Sequence, residues 1–314
     1  MLKILMRNPK MRLFFVVLFI CCSNNLSAAW RQRNLESGGN KVSIALDSSG
    51  DLHFAWYHYL GSAGGFSGDL KHGKKIGTIW TSETVDSIGW LSDGRYTSIA
   101  VDSSGNPHIA AFDYTGQVAH LKYAKWTGSA WVIETIADYV GQYPSLALDG
   151  SGYPHITYYG GGLKYAKWTG STWAIETVDS SGGEYTSLAL DSSDNPHISY
   201  YSGNVLKYAA WTGSAWVKET ADPTASAGWY TSLALDIGGN PHISYYYSPS
   251  PGDLKYAAWT GTEWSTQTVD SVGEVGKYTS LALDSGGNPH ISYSDYTNQT
   301  LKYARWTGSV NLSV

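Results

Sequence analysis

Across 314 residues the chain carries 21 Lys and Arg against 26 Asp and Glu, a formal net charge of −5, and 14% of its residues are aromatic. This acidic balance lacks the cationic surface that nucleic acid or an anionic membrane requires, so neither is expected as a partner. Two adjacent cysteines, Cys21 and Cys22, supply no disulfide framework, and a chain of this length can be held by packing alone.

Residues 1–29 read as a signal peptide. Lys3, Arg7, Lys10 and Arg12 form a basic n-region and Leu13 to Cys22 a ten-residue apolar h-region, with Ser27, Ala28 and Ala29 as a small-residue cleavage site before Trp30. Ten apolar residues are too few to span a bilayer as a helix. Ile20 and Cys21 are poor substitutes for the small residue that precedes a lipidated cysteine, so an outer-membrane lipoprotein is not expected. Cleavage removes four positive charges and both cysteines, leaving a thiol-free chain near −9. Such a chain is expected to be secreted or periplasmic, with no membrane insertion after cleavage.

From residue 30 to 314 the chain is one domain of repeats. The histidine of a recurring Pro-His-Ile (Leu-His-Phe in the first copy) falls at His53, His108, His155, His197, His242 and His290, in steps of 55, 47, 42, 45 and 48 residues. Each unit reads YTSLALDSSGNPHISYY, a spacer, LKYAKWTGSAWVIETVDS and a second spacer. TSLALD and PHISYY are β-rich runs around a D-x-x-G-N turn whose Gly105, Gly152, Gly239 and Gly287 supply a left-handed residue, a place taken by Asp194 in the fourth copy. LKYAKW and WVIETV are joined by the four-residue loop T-G-S-A. Four antiparallel strands every 40–50 residues, with no helical periodicity, predict an all-β, six-bladed β-propeller. The blades fall near 41–94, 95–141, 142–184, 185–228, 229–276 and 277–314.

The ends bear on closure. The last copy stops at WTGSVNLSV, with Asn311 where earlier copies place a second tryptophan, while Trp30-Arg-Gln-Arg-Asn-Leu matches the missing outer strand. Residues 30–38 are therefore expected to complete the sixth blade and close the ring, leaving no open sheet edge.

In Tyr-Thr-Ser-Leu-Ala-Leu, Leu188 and Leu190 share one face and Ser187 and Ala189 the other, so large can interdigitate with small between blades. The six repeated histidines read as a structural hydrogen bond made once per blade, since no second ligand sits beside them at metal spacing. Asp47, Asp102, Asp149, Asp191, Asp236 and Asp284 open the inner turns and are expected to cap them. The tryptophans leave two readings open. Trp126, Trp168, Trp211 and Trp259 end the third strands and Trp131, Trp173, Trp216 and Trp264 begin the fourth, each pair facing across the loop. Such pairs pack, and they also offer the aromatic face on which a sugar ring stacks. Tyr159, Tyr201 and Tyr246, at the ends of the second strands, join them as candidate ligand residues. The lysine repeated as Lys71, Lys122, Lys164, Lys207, Lys255 and Lys302 is expected to lay its stem over the tryptophan.

The outer hairpin LKYAKWTGSAWVIETVDS resembles the L-x-H-x-x-W-x-G-x-x-W-x-x-x-E-x-L-G-G hairpin of tectonin-like and PLL-like propeller lectins. The inner hairpin SLALDSSGNPHISYY resembles that of NHL-type and virginiamycin-lyase-type propellers. The lectin resemblance implies sugar binding in pockets between blades. Tyrosine stands where those lectins carry histidine, except at His72.

A catalytic site must break the repeat, and the departures from it are mainly Gly-, Ser- and Pro-rich insertions, flanked by Trp56, His58, Trp90 and Trp229. The arginines of the mature chain, Arg31, Arg33, Arg95 and Arg305, lie at different phases and form no sialidase-like cluster. The expectation is a non-enzymatic propeller without cofactor or metal that binds a glycan or a surface protein, with the repeats offering several equivalent sites. A protein-interaction scaffold is the alternative, and a glycoside hydrolase or lyase the third reading.

Overall fold

In the computed structural model, residues 3–4, 39–59, 68–88, 96–115 and 118–308 are described. Blade one contains β2 (Gly39–Leu46), β3 (Leu52–Tyr59), β4 (Gly68–Ile76) and β5 (Ile79–Ile88), with the two-residue β1 (Lys3–Ile4) on the free edge of β2. Blade two contains β6 (Thr97–Val101), β7 (Pro107–Thr115), β8 (Val118–Trp126) and β9 (Trp131–Asp138). Blade three is β10 (Gln142–Leu148), β11 (Pro154–Tyr159), β12 (Leu163–Trp168) and β13 (Trp173–Asp179). Blade four is β14 (Gly182–Leu190), β15 (Pro196–Ser202), β16 (Val205–Trp211) and β17 (Trp216–Asp222). Blade five is β18 (Ala227–Leu235), β19 (Pro241–Tyr247), β20 (Asp253–Trp259) and β21 (Trp264–Asp270), and blade six has β22 (Val275–Leu283), β23 (Pro289–Asp295) and β24 (Thr300–Arg305).

Within each blade every strand pairs antiparallel with its sequence neighbour, and the first strands of successive blades meet one another, so six blades ring a common axis. The expected fold is the observed one. Among the described residues blade six has three strands. The proposed closing strand at 30–38 lies outside them, as does nearly all of the expected signal peptide. The pair Lys3–Ile4 sits at the seam, against both β2 and β22.

The core lies between blades. Leu163, Tyr165 and Val178 of blade three pack on Leu188, Ile198 and Tyr200 of blade four, while Ala189, on the other face of β14, packs toward blade five. Large meets small at each interface, as the alternation in β14 requires. Among the described residues the inner strands of blades two to six have no strand partner on the axial side, yet the Leu188 N–H is satisfied by Ser145 Oγ of the preceding blade at 3.0 Å. The same bond joins Ile99 to Ser43, Leu146 to Ser98, Leu233 to Ser187 and Leu281 to Ser232, at 2.7–3.1 Å. These serines staple the ring at its hub.

Local turns follow the sequence closely. Asp191 Oδ1 accepts the N–H groups of Ser193 and Asn195 at 2.8 Å, and the other five aspartates do the same in their blades. Asp194 takes the glycine's place in the left-handed region, at φ 61°.

Candidate functional site

In each four-stranded blade the inner turn and the outer hairpin loop lie at one end of the strands, and the β-strand two-to-three connections at the other. The antiparallel order alone dictates this: the first strand runs to the turn face, the second away, the third back. It separates the aromatic candidates. The tryptophan pairs stand on the turn face, and Tyr159, Tyr201 and Tyr246 on the opposite face. There the Tyr201 hydroxyl donates to Asn204 Oδ1 at 3.1 Å and that of Tyr246, buried, to Glu274 Oε1 at 3.3 Å. These tyrosines and the tryptophans form no common site.

On the turn face the register places Trp126 opposite Trp131, Trp168 opposite Trp173, Trp211 opposite Trp216 and Trp259 opposite Trp264, with ring centroids 5.6–5.7 Å apart. The two members then divide their roles. The Trp173 Nε1–H donates to Glu134 of the preceding blade at 2.9 Å, Trp216 to Glu176 at 3.0 Å and Trp264 to Glu219 at 2.7 Å. Each of these rings also meets a tyrosine of that blade edge-on, as Trp216 does Tyr165 at 5.3 Å. The second tryptophan is a bolt between blades. The first is left to face the cleft.

Between blades three and four that cleft measures about 400 Å³, walled by Trp211, Tyr165, Lys167, Glu176 and Asn195. Glu176 has one oxygen engaged by Trp216, and Asn195 uses its amide nitrogen on Asp191 at 3.0 Å, which leaves carboxylate and amide oxygens as acceptors beside the Lys167 ammonium. Between blades one and two the cleft measures about 310 Å³ and is walled by Trp126, His53, His72, Lys74, Glu83 and Asn106. The clefts are built from the same places in the repeat.

Behind each cleft lies the repeated histidine. Its Nε2 faces the turn aspartate at 3.4–3.7 Å in all six blades. In blades two to six its Nδ1 is hydrogen-bonded to a third-strand tyrosine: His108 to Tyr123, His155 to Tyr165, His197 to Tyr208, His242 to Tyr256 and His290 to Tyr303. Burial pushes His108 and His155 down to about 4. These two imidazoles are neutral and enclosed between blade core and cleft wall. Among the described residues no three His, Cys, Asp or Glu side chains group to hold a metal ion.

In three of the six copies the ammonium of the repeated lysine reaches an aspartate of the preceding blade. Lys122 Nζ reaches Asp86 of the preceding blade at 2.8 Å, Lys255 reaches Asp222 at 2.6 Å, and Lys302 pairs with Asp270. Burial raises the Asp222 carboxyl, but Lys255, Thr224 and Tyr245 outweigh it and hold the group below the usual range. Sequence reasoning missed these fourth-strand aspartates, although their recurrence at Asp86, Asp179, Asp222 and Asp270 was a signal. It also missed a collar of tyrosines at the axis, on the face opposite the clefts. Tyr96, Tyr143, Tyr185, Tyr230 and Tyr278 follow one another at 4.3–4.6 Å. The last four stand at φ 54–55°, a strained region for an aromatic residue. Of the non-repeated candidates, Trp56 is buried, Trp229 stacks on Tyr185 beside the collar, and Trp90 lies outside the described residues.

No family model and no curated protein matches the chain. Solved structures do match its fold. A variant of the Aleuria aurantia lectin in complex with Fucα1-6GlcNAc is 15% identical, with a TM-score of 0.55 over 87% of this chain and 93% of that one. The lectin SapL1 in complex with α-methyl fucoside is 14% identical, at 0.54 over 85% and 93%. The NanB sialidase of Streptococcus pneumoniae is 11% identical, at 0.56 over 82% and 65%. The architecture of this chain is therefore one that fucoside-binding lectins share with a sialidase.

Proposed function

We propose that the protein is a secreted, multivalent glycan-binding propeller that takes a sugar in each cleft between blades. The cleft between blades three and four carries the argument. It sets an aromatic wall, Trp211, against a carboxylate, an ammonium and an amide oxygen, the combination that matches a sugar's apolar C–H face and its hydroxyl edge. The lectins of the same fold, complexed with fucosides, support the reading and make fucosides the first ligands to try. Single clefts of this kind bind weakly, on the order of 10⁻⁴ M, and gain about 10²–10⁴-fold on a clustered glycan.

Titration calorimetry with methyl fucoside, alongside a glycan array, tests this directly. Several equivalent sites are expected, and Trp211→Ala should remove one of them while the rest still bind. A stoichiometry of one, lost entirely in a single tryptophan variant, would overturn the repeated-site reading. Failure to bind any glycan would favour the scaffold.

A further inference from the structure

The cleft between blades one and two departs from the repeat in its chemistry. His72 stands where the other blades carry the tyrosine bonded to histidine. Its Nε2 lies 3.1 Å from His53 Nδ1 and its Nδ1 3.0 Å from Glu83 Oε1. With Asp47 Oδ2 at 3.4 Å from His53 Nε2, four ionisable groups form one chain, Asp47–His53–His72–Glu83, running from the inner turn to the cleft wall. Glu83 is 44% exposed at its outer end.

Counting protons separates this chain from its counterparts. An Asp–His–Tyr set has two contacts, and one imidazole proton with one phenol proton fills both. The chain in blade one has three contacts, and two neutral imidazoles supply two protons. Ionised Glu83 can only accept, so His72 Nδ1 carries a proton. The one proton of His53 then fills either its contact with His72 Nε2 or its contact with Asp47 Oδ2, and the other of the two is left bare. The Lys74 ammonium lies 3.3 Å from Asp47 Oδ2 and 4.0 Å from Asp51. The place for a third proton is therefore built in. The charged groups facing the two imidazoles are Asp47, Asp51, Lys74 and Glu83, and blade two adds the neutral Trp131, 5.3 Å from His72.

A second observation comes from that tryptophan. Trp173, Trp216 and Trp264 each donate to the glutamate of the preceding blade, but Trp131 Nε1 is buried with no hydrogen-bond partner among the described residues. Glu83, the glutamate in the matching place, is engaged by His72 instead. In the three clefts between blades two and five the glutamate is held by an indole N–H that never ionises. In this one it is held by an imidazole that does.

We propose that the cleft between blades one and two is a proton-linked ligand site, filled while the Asp47–His53–His72–Glu83 chain holds two protons and emptied when it takes up a third. The third proton places a positive charge on the imidazole pair, draws the Glu83 carboxylate to it and weakens that carboxylate as an acceptor for a ligand hydroxyl. Burial lowers the proton affinity of both imidazoles, so the change falls on the acid side of neutral. The proposal rests on the glycan reading for its ligand, and His72 is its specificity-determining residue.

The test uses the wild-type chain and His72→Tyr, a substitution that installs the residue already present at Tyr123, Tyr165, Tyr208, Tyr256 and Tyr303. Without ligand, nitrogen-resolved NMR should show His53 and His72 titrating as one coupled unit. The Trp131 indole N–H should stand apart from those of Trp173, Trp216 and Trp264, and join them in His72→Tyr. Independent titration of the two histidines, or an indole signal indifferent to His72→Tyr, overturns the proton chain. With methyl fucoside, calorimetry at pH 6.5 and 4.0 should show one site weakening by about twofold in the wild type and none in His72→Tyr. Equal site counts and affinities at both pH values overturn the linkage. If no cleft binds at either pH, the glycan reading fails, and the histidine and indole signals alone decide for or against the proton chain.

Discussion

Lowering the pH from 7 to 5 should destabilise this propeller far more than its carboxylates alone would allow. Burial holds His72, His108 and His155 at about 4 in the folded chain, against an ordinary value of about 6.5 once unfolded. Between those values the unfolded state binds more protons than the folded one, so stability rises with pH through this window and falls as acid is added. At pH 5 each of the three costs roughly 2 kcal/mol, and together they remove on the order of 5 kcal/mol relative to pH 7, comparable to the whole stability of many domains. Asp102 and Asp191 sit below the ordinary carboxyl range, because their turn hydrogen bonds outweigh the burial that raises them. They stay ionised at pH 5, so their share is lost only in stronger acid. Urea unfolding followed by tryptophan fluorescence at pH 7, 6 and 5 measures the slope directly. His155→Gln should lower stability at pH 7 yet flatten the pH dependence by about a third, since only the slope reports the lost titration. A midpoint that does not move between pH 7 and 5 would refute the reasoning.

Three further outcomes follow from the contacts between blades. Ser145→Ala leaves the buried Leu188 N–H without its acceptor and should cost about 1–3 kcal/mol in urea unfolding, whereas Ser214→Ala on an exposed hairpin loop should cost little. Trp216→Phe keeps the edge-on contact with Tyr165 but removes the bond to Glu176, so it should cost about 1–3 kcal/mol, and Glu176→Gln, which retains an acceptor, should cost less. Deleting residues 30–37 should lower the melting temperature and promote association by baring the edge of blade six; a truncated protein that stays monomeric with an unchanged melting temperature rules out that strand as the closing element.

What the residues fix alone is the blade. Alternation, the D-x-x-G-N turn and the T-G-S-A loop are local signals, and they place Trp168 opposite Trp173, Asp194 in the left-handed region and each turn aspartate on its own backbone. Counting the repeats then gives six blades, because a four-stranded unit cannot bury both faces except against a copy of itself. Which side chain meets which across that interface was not legible. Ser145 finds Leu188, Glu134 finds Trp173 and Lys255 finds Asp222 about one repeat away, and periodicity makes every copy look equivalent without saying which face of one blade meets which face of the next. The same limit hid the chemistry of the first cleft. His72 was visible as a departure from tyrosine, but its bonds to His53 and Glu83 exist only because three neighbouring strands bring the three side chains to one face. Local propensity sets the strands and turns, whereas the packing of one twisted sheet on the next decides which polar groups must satisfy one another in the absence of water.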